Sequence, residues 1–381
     1  MIHRVCFIFS TFPPISIGGV EKYLLYIIKV LTEKGISSTL LTRYYPPLPK
    51  KENHKSYTLY RIGITPFPKS NKRYISGFTD LLGDRLTYTL LGFYEAIKLV
   101  KDVNIVHPQL GGVYDFFLGE KIANKLQKPL IVTIHGKFGQ DFEDIPPKEE
   151  LLKALRQATF ILVNRKSSYN FLTNLGLSNI FMMQNPIPFH EYKRPHVLKK
   201  DIEKQNVRIT FVGRLCYRRG AHIAVRSFIY AAKECPHIEL WVIGDGPLRS
   251  QLLNEIRKFG LQKRAVFFGN QFDVKRFLWN SDIFLATSPI DNFPSLSLRE
   301  AMAAGLSVIA TDAGETKDII FPNENGILVS PDPRAVGNAI LRLVNDKKLR
   351  CQLADAAVRS AEKFDLYFYC QKLLELYKKA F

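Results

Sequence analysis

The sequence predicts two doubly wound, Rossmann-like α/β domains that face each other across a cleft. Three observations carry that reading. The chain has 381 residues, and a single core rarely grows beyond about 250–300. Short apolar runs alternate with helical patterns almost from end to end, as in parallel sheets covered on both faces. One break interrupts the alternation: Asn185-Pro186-Ile187-Pro188, then a charged stretch from His190 to Gln205. The expected division is therefore 1–188, a linker over 189–205, a second domain over 206–362, and a C-terminal helix over 363–381 that packs back on the first domain.

The first series opens with a strand over 2–9, too short and too soon followed by Pro13-Pro14 to serve as a signal peptide. A helix over 20–34 leads to strands over 38–43, 57–64 and 104–107. Helices over 115–126, 148–157 and 167–175 then separate strands over 130–135, 160–164 and 180–184. The second series has strands over 207–212, 239–243, 265–268, 283–287, 307–310 and 327–329. Helices over 221–234, 248–259, 274–279, 296–304 and 334–344 alternate with them, and a last helix over 366–379 carries alternating aromatic and Leu residues.

Apolar residues at 46% and charged residues at 23% describe an ordinary folded chain. Five scattered cysteines without a Cys-x-x-Cys pair argue against a disulfide framework or a zinc site and fit a reducing, cytoplasmic setting. No apolar run approaches the roughly 20 residues a membrane span needs. A net charge of +19 is shared by groups such as Lys69, Lys72-Arg73 and Arg218-Arg219. Such a field favours acidic ligands and the anionic inner face of a membrane. Nucleic acid is not expected, because no reading element accompanies the charge.

The most informative stretch is Phe293-Pro294-Ser295-Leu296-Ser297-Leu298-Arg299-Glu300-Ala301-Met302-Ala303-Ala304-Gly305. It reads as a helix entered from a Pro/Ser loop and stopped at Gly305. Free amides and the positive dipole end suit a diphosphate. Glu300 stands a turn and a half further in, where its carboxylate would take hydroxyls of an adjoining ribose or sugar; the plain alternative is a core helix with one exposed Glu. Gly18 and Gly19 open the first long helix and let a ligand approach the backbone. The pattern is neither a dinucleotide fingerprint nor a P-loop. Arg214 and Arg219, after the strand over 207–212, are cations suited to bind a diphosphate and to stabilise it as it leaves; a surface Arg cluster is the alternative. Gly269 and Asn270 close another strand, where backbone groups would meet a base. His135, in Thr133-Ile134-His135-Gly136, ends a strand of the first half.

Taken in order, these motifs resemble the retaining glycosyltransferases of family four, which have the GT-B fold. The resemblance rests on Gly-Gly-x-Glu, Thr-x-His-Gly, Val-Gly-Arg-Leu, Gly-Asp-Gly-Pro and Glu-Ala-Met-Ala-x-Gly followed by Val-Ile-Ala. It continues through Asn325-Gly326-Ile327-Leu328-Val329 and Pro331-Asp332-Pro333, and spans nearly the whole chain. It implies a donor that is a UDP-, GDP- or ADP-sugar, a glycan or lipid-linked acceptor, and no further cofactor. Arg214 and Arg219 would hold the diphosphate and Glu300 the ribose. The amides around Pro294, Ser295, Leu296 and Ser297 would touch phosphate. Gly18 and Gly19 would lie against donor phosphate or acceptor, with His135 near the reacting sugar.

Two residues depart from the family. Arg219 stands where Lys is usual, a change of geometry but not of charge. The position eight before Glu300 is Asn292, where the family has an acid, and Asp291 lies one residue earlier. Either Asp291 reaches the sugar hydroxyls or Asn292 does so as a neutral partner. The expectation is that Asp291→Ala lowers donor-sugar turnover more than Asn292→Ala; steady-state kinetics giving the reverse order would refute it. No Asp-x-Asp triplet is present, Asp141-Phe142-Glu143 being nearest, so a metal-independent reaction is expected. The rival readings are a sugar-nucleotide epimerase of the same fold and a protein that binds nucleotide sugar without turning it over.

Overall fold

A computed structural model of the chain describes residues 2–15, 18–63, 84–110, 113–136, 148–195, 206–290 and 295–381. It divides into two compact units, Met1–Asn185 with Leu366–Phe381, and Pro186–Asp365. Both are doubly wound α/β layers, the fold class the alternation implies.

The first unit runs β1 (Arg4–Ile8), α1 (Gly19–Glu33), β2 (Ser37–Arg43), β3 (Lys51–Asn53), β4 (Tyr57–Ile62) and a π-helical turn over Asp84–Leu91 leading into α2 (Gly92–Leu99). It continues with β5 (Ile105–Leu110), α3 (Val113–Leu126), β6 (Ile131–Ile134), α4 (Lys148–Leu155), β7 (Phe160–Val163), α5 (Lys166–Asn174) and β8 (Ile180–Met182). The sheet order is β3-β4-β2-β1-β5-β6-β7-β8. The strands pair in parallel except β3, which joins the edge antiparallel to β4, a correction to an all-parallel expectation. β5 reaches Leu110, three residues beyond the expected end, and so carries Gln109. Strand order reverses at β1, which pairs with both β2 and β5; ligands of open α/β sheets bind at such a switch point.

The second unit contains α6 (Phe189–Tyr192), β9 (Val207–Val212), α7 (Ala221–Ala232), β10 (Ile238–Ile243), α8 (Arg249–Lys258), β11 (Ala265–Gly269), α9 (Lys275–Trp279) and β12 (Ile283–Ala286). Then come α10 (Leu296–Ala303), β13 (Ser307–Thr311), β14 (Ile327–Val329), α11 (Pro333–Asn345) and α12 (Lys347–Ala361). Its sheet, β11-β10-β9-β12-β13-β14, is parallel throughout. Residues 186–188, expected to close the first domain, and 189–192, expected to open a linker, belong to this unit. Ile187, Phe189 and Tyr192 are buried with Leu298, Ala301 and Met302 of α10. An amphipathic turn with three large apolar faces is core material, whatever the charge around it. Residues 193–195 of the expected linker also belong to this unit, and its remainder, 196–205, lies outside the described residues.

The chain leaves and re-enters the first unit side by side: the Ile187 N–H donates to the Phe364 carbonyl at 2.9 Å. Its last helix, α13 (Leu366–Ala380), lies in the first unit. There Leu366, Tyr369, Cys370, Leu373, Leu376 and Tyr377 share a core with α1 and the strands beneath it. Part of the aromatic and Leu pattern of the final helix thus forms one buried stripe with Cys370, while Tyr367 and Phe368 of the same pattern are exposed.

Candidate functional site

In the second unit, loops at the carboxyl ends of the strands touch backbone to backbone. A Cβ on Gly244 would lie 2.0 Å from the Gly213 carbonyl oxygen, and one on Gly246 would lie 2.6 Å from that of Leu215. At Gly220, where φ is +71°, it would lie 1.6 Å from the Thr287 oxygen. Hydrogen bonds fasten the same loops: Leu215 N–H to the Asp245 carbonyl at 2.9 Å, Thr287 Oγ1 to the Gly220 carbonyl at 2.9 Å and Ser288 Oγ to the Arg218 carbonyl at 2.8 Å. Glycines are present because no side chain fits.

This frame carries the two arginines. Arg218 and Arg214 are exposed, whereas Arg219 is half-buried at the end of a 3₁₀ turn over Tyr217–Arg219. Burial lowers the Arg219 pKa from its ordinary value. The cluster is thus only partly the plain surface patch that was the alternative.

α10 begins beside it. Ser295 is the N-cap, its Oγ accepting from the Leu298 N–H at 3.3 Å. Ser297 Oγ donates to the Val212 carbonyl at 3.1 Å, tying the helix start to the strand end that precedes Gly213 and Arg214. The amides of Leu296 and Ser297, in the first turn, have no intrahelical acceptor and face the anion-favouring end of the dipole. Asp291, Asn292, Phe293 and Pro294 lie outside the described residues.

Glu300 is 1% exposed, which corrects the alternative of one exposed Glu on a core helix. Tyr192 of α6 donates its hydroxyl to Glu300 Oε1 at 2.9 Å. Tyr192 is itself held by Trp279, whose indole N–H reaches its carbonyl at 2.7 Å, while Lys275 pairs with Glu191 at 3.5 Å. Sequence reasoning missed Tyr192 because it sits among His190, Glu191, Lys193 and Arg194; the signal available was its spacing from Phe189 and Ile187. Tyr192→Phe removes a donor from a buried carboxylate. It is expected to cost about 1–3 kcal/mol of stability, read as a lower urea midpoint, and to weaken binding of the nucleoside diphosphate about tenfold.

Gly269 and Asn270 close β11. Gly269 has φ +69° and open space at its Cβ position, and its carbonyl accepts from the Gly244 N–H at 2.7 Å. Phe268 anchors the strand end against Phe277 at 4.8 Å and Trp241 at 5.2 Å between centroids.

In the first unit, Gly18 caps α1 without a side chain. A Cβ there would meet Glu21 Oε2 at 2.8 Å, so the glycine leaves room for the buried Glu21 carboxylate. Gly19 is the first helical residue. His135 follows β6, with its ring edge-on to Tyr23 at 4.8 Å and its Nε2 2.8 Å from Gln109 Oε1. Beneath it, His107 is buried, with Nδ1 2.6 Å from the Tyr377 hydroxyl and Nε2 2.7 Å from Thr133 Oγ1. Tyr23 and Tyr369 join hydroxyls at 2.7 Å. Polar residues inside apolar strands, His107, Gln109 and Thr133, were the sequence signal for this layer, and it went unread.

Burial sets the ionisation here. Both His107 and His135 are lowered to about 3 by desolvation, and the two imidazoles are neutral. Asp115, which accepts from Tyr88 at 3.0 Å and Ser10 at 3.1 Å, is raised to about 7 by burial. Between about pH 4.5 and 6 the unfolded chain protonates both histidines, whose ordinary pKa is 6.5, and the native chain neither. Asp115 acts in the opposite sense, since only its native form is protonated there. These groups together leave the unfolded state with about one extra proton, so stability falls as the pH drops, by about 1.4 kcal/mol per unit. His107→Gln is expected to lower the slope by about 1.4 kcal/mol per pH unit, as measured by urea unfolding at pH 4.5 and 6.

Two family descriptions match the chain: "Glycosyltransferase Family 4" over residues 17–190 and "Glycosyl transferases group 1" over residues 206–346. The 2-deoxystreptamine N-acetyl-D-glucosaminyltransferase of Niallia circulans is 25% identical over 82% of this chain and 85% of its own. A phosphatidylinositol N-acetylglucosaminyltransferase component of Arabidopsis thaliana is 25% identical over 98% of this chain and 84% of its own. Among solved structures, sucrose-phosphate synthase from Thermosynechococcus elongatus superposes with a TM-score of 0.79 at 17% identity, covering 99% of this chain and 98% of that one. Anabaena HepE in complex with UDP gives 0.73 at 18% identity, over 99% and 100%. The structural likeness is one of fold.

Proposed function

Because the chain belongs to the family 4, group 1 glycosyltransferases, we propose that it transfers a sugar from a nucleoside-diphosphate donor to a glycan or lipid-linked acceptor with retention of anomeric configuration. The observation that carries the donor assignment is the glycine-only frame. It presents Arg214, Arg219 and the first turn of α10 from adjoining loops of one sheet. Cations and unpaired amides on a rigid frame are what a diphosphate needs before the reaction and, more strongly, as its charge grows.

In this reading Arg214 and Arg219 bind the diphosphate, the amides around Pro294–Ser297 complete its coordination, and Glu300 takes the ribose hydroxyls. Gly269 and Asn270 border the base, and His135 contacts the transferred sugar. Gly18 and Gly19 lie toward donor phosphate or acceptor. The bond from the anomeric carbon to the diphosphate oxygen breaks as the acceptor oxygen bonds to that carbon from the same face. The acceptor proton passes to the departing diphosphate. The arginines supply the countercharge that a metal supplies in other transferases, which supports metal-independent turnover. The HepE structure with UDP supports a uridine donor as the first to test.

In this reading the acceptor meets the first unit. Among its described residues Leu91 and Tyr94 are 51% and 68% exposed, at helical spacing with the exposed Lys98, and the exposed Lys101 follows in the turn after α2. An apolar and cationic stripe suits the surface of an anionic bilayer, where a lipid-linked acceptor resides. No described helix is long and apolar enough to cross a membrane, so contact would be peripheral.

The deciding experiment is thermal stability with UDP, GDP and ADP and their sugar conjugates, with Arg214→Ala as control. A ligand bound only by the native chain raises the melting temperature by mass action. One nucleotide series stabilising the wild type but not the variant supports the reading; no response to any of them defeats it.

A further inference from the structure

Strand order in the second sheet reverses at β9, which pairs with β10 on one side and β12 on the other. Beside β10 its ladder runs to Val212, and β12 runs beside β13 to Ala286. Between β9 and β12, however, pairing stops at Thr210 opposite Phe284. The two strands part over their last residues, and a crevice opens at the switch point, where ligands of such sheets bind. Side-chain hydroxyls span it where the backbone ladder does not. Ser288 donates to the Arg218 carbonyl at 2.8 Å and Thr287 to the Gly220 carbonyl at 2.9 Å, one on each side of Arg219. Ser297 of α10 donates across to the Val212 carbonyl at 3.1 Å. Thr311 of β13 donates in turn to the Ser288 carbonyl, backing this clamp from the next strand. The clamp does more than satisfy polar groups. The Gly220 carbonyl already accepts the Ala224 N–H at 3.0 Å, so the Thr287 bond is a second one and adds placement. The N–H groups of Arg219 and Gly220 are spent inside the turn, on the Cys216 and Tyr217 carbonyls at 3.2 and 2.9 Å. The carbonyls flanking Arg219 are what the hydroxyls take.

We propose that Thr287 and Ser288 are positioning residues for Arg219: their hydroxyls bridge the parted ends of β9 and β12 and hold the turn, so that its guanidinium meets a bound diphosphate at a fixed place. That the ligand is a diphosphate rests on the donor reading above; that the turn is held does not. A long side chain on a loose turn can still reach an anion, but it then pays the ordering of backbone and rotamers on binding. A turn fixed beforehand removes the backbone share of that cost before the ligand arrives. Thr287 is 1% exposed and acts through Arg219, not on the ligand. The whole device lies within the second unit, between the ends of β9, β12 and β13.

The test removes the hydroxyls with and without the guanidinium. Thr287→Val combined with Ser288→Ala should weaken UDP, or GDP or ADP if the stability screen selects it, about tenfold in calorimetric titration. In an Arg219→Ala background the same two changes should weaken it by less than about twofold. Thr287→Ser alone keeps both hydroxyls and should bind as the wild type does. Without ligand, the backbone N–H of Arg219 should show an NMR order parameter of about 0.85 in the wild type, falling toward about 0.6 in the double variant. An equal loss of affinity in both backgrounds overturns the proposal, since the hydroxyls would then support the unit as a whole. An unchanged order parameter overturns it as well. Should the double variant fail to fold, Ser288→Ala alone, at a half-buried site, is read in the same cycle. If the order parameter falls as expected but no nucleoside diphosphate binds even the wild type, the donor reading fails and the clamp stands.

Discussion

Gly220→Ala is expected to lower the stability of the second unit by about 3 kcal/mol or more, and its melting temperature by about 10 °C. Two penalties coincide at this residue. Its φ of +71° is a region that alanine enters only at a cost, and the added methyl would overlap the Thr287 carbonyl oxygen, 1.6 Å from the ideal Cβ position. Backbone cannot step aside as a flexible side chain does. Gly260→Ala separates the two penalties, since Gly260 has φ +67° but nothing within 4 Å of its Cβ position. That variant should lose only about 1 kcal/mol. Equal urea midpoints for the two would show that the close approach of the loops carries no energy. Because Gly220 directly follows the turn that bears Arg219, any Gly220→Ala protein that does fold should also bind nucleoside diphosphate poorly.

Arg219→Ala is expected to reduce kcat about 10²–10³-fold, with little change in the urea midpoint. The guanidinium is half-buried on a fixed turn, so its charge meets less solvent screening than that of the exposed Arg214. Binding stronger to the departing diphosphate than to the intact donor lowers the barrier, whereas equal binding would change KM alone. Arg219→Lys should retain most of the rate, because Lys is the usual residue of the family and keeps the charge. A full loss in Arg219→Lys would mean that the planar, two-pronged geometry of arginine is required. Loss confined to KM in Arg219→Ala would place the residue in ground-state binding only.

The frame of the molecule was largely legible in the residues, and the reason is local. β9 to β14 are near-continuous apolar runs bounded by Gly, Pro or Asp, and α10 and α11 announce themselves with Ser295 and Asp332 as caps. β3 was missed because Lys51-Glu52-Asn53 looks like a loop; only pairing at a sheet edge makes it a strand. α12 was missed because its surface is mostly polar, and it buries only a narrow seam at Leu353, Ala354, Ala357 and Ala361.

The candidate site was legible where its chemistry sits in short motifs: Arg214, Arg219, Glu300 and His135 could each be named. What supports them was not. Tyr192 is 108 positions from Glu300, and Tyr377 is 270 from His107. No spacing rule connects residues that only the fold brings together. Gln109 and Thr133 were visible as polar interruptions of apolar strands, but their meaning depends on which neighbour they face.

The position of α13 has a consequence for how the protein is made. The first unit lacks this helix until the 180 residues from Pro186 to Asp365 have been synthesised. At about 5–20 residues per second on the ribosome, that is a wait of roughly 10 to 35 s. Throughout it, Tyr23, Leu24 and Ile27 of α1 lack the apolar stripe that covers them, and His107 lacks its phenol partner. The half that emerges first is therefore finished last, and a nascent chain halted before Leu366 is expected to be a client of chaperones.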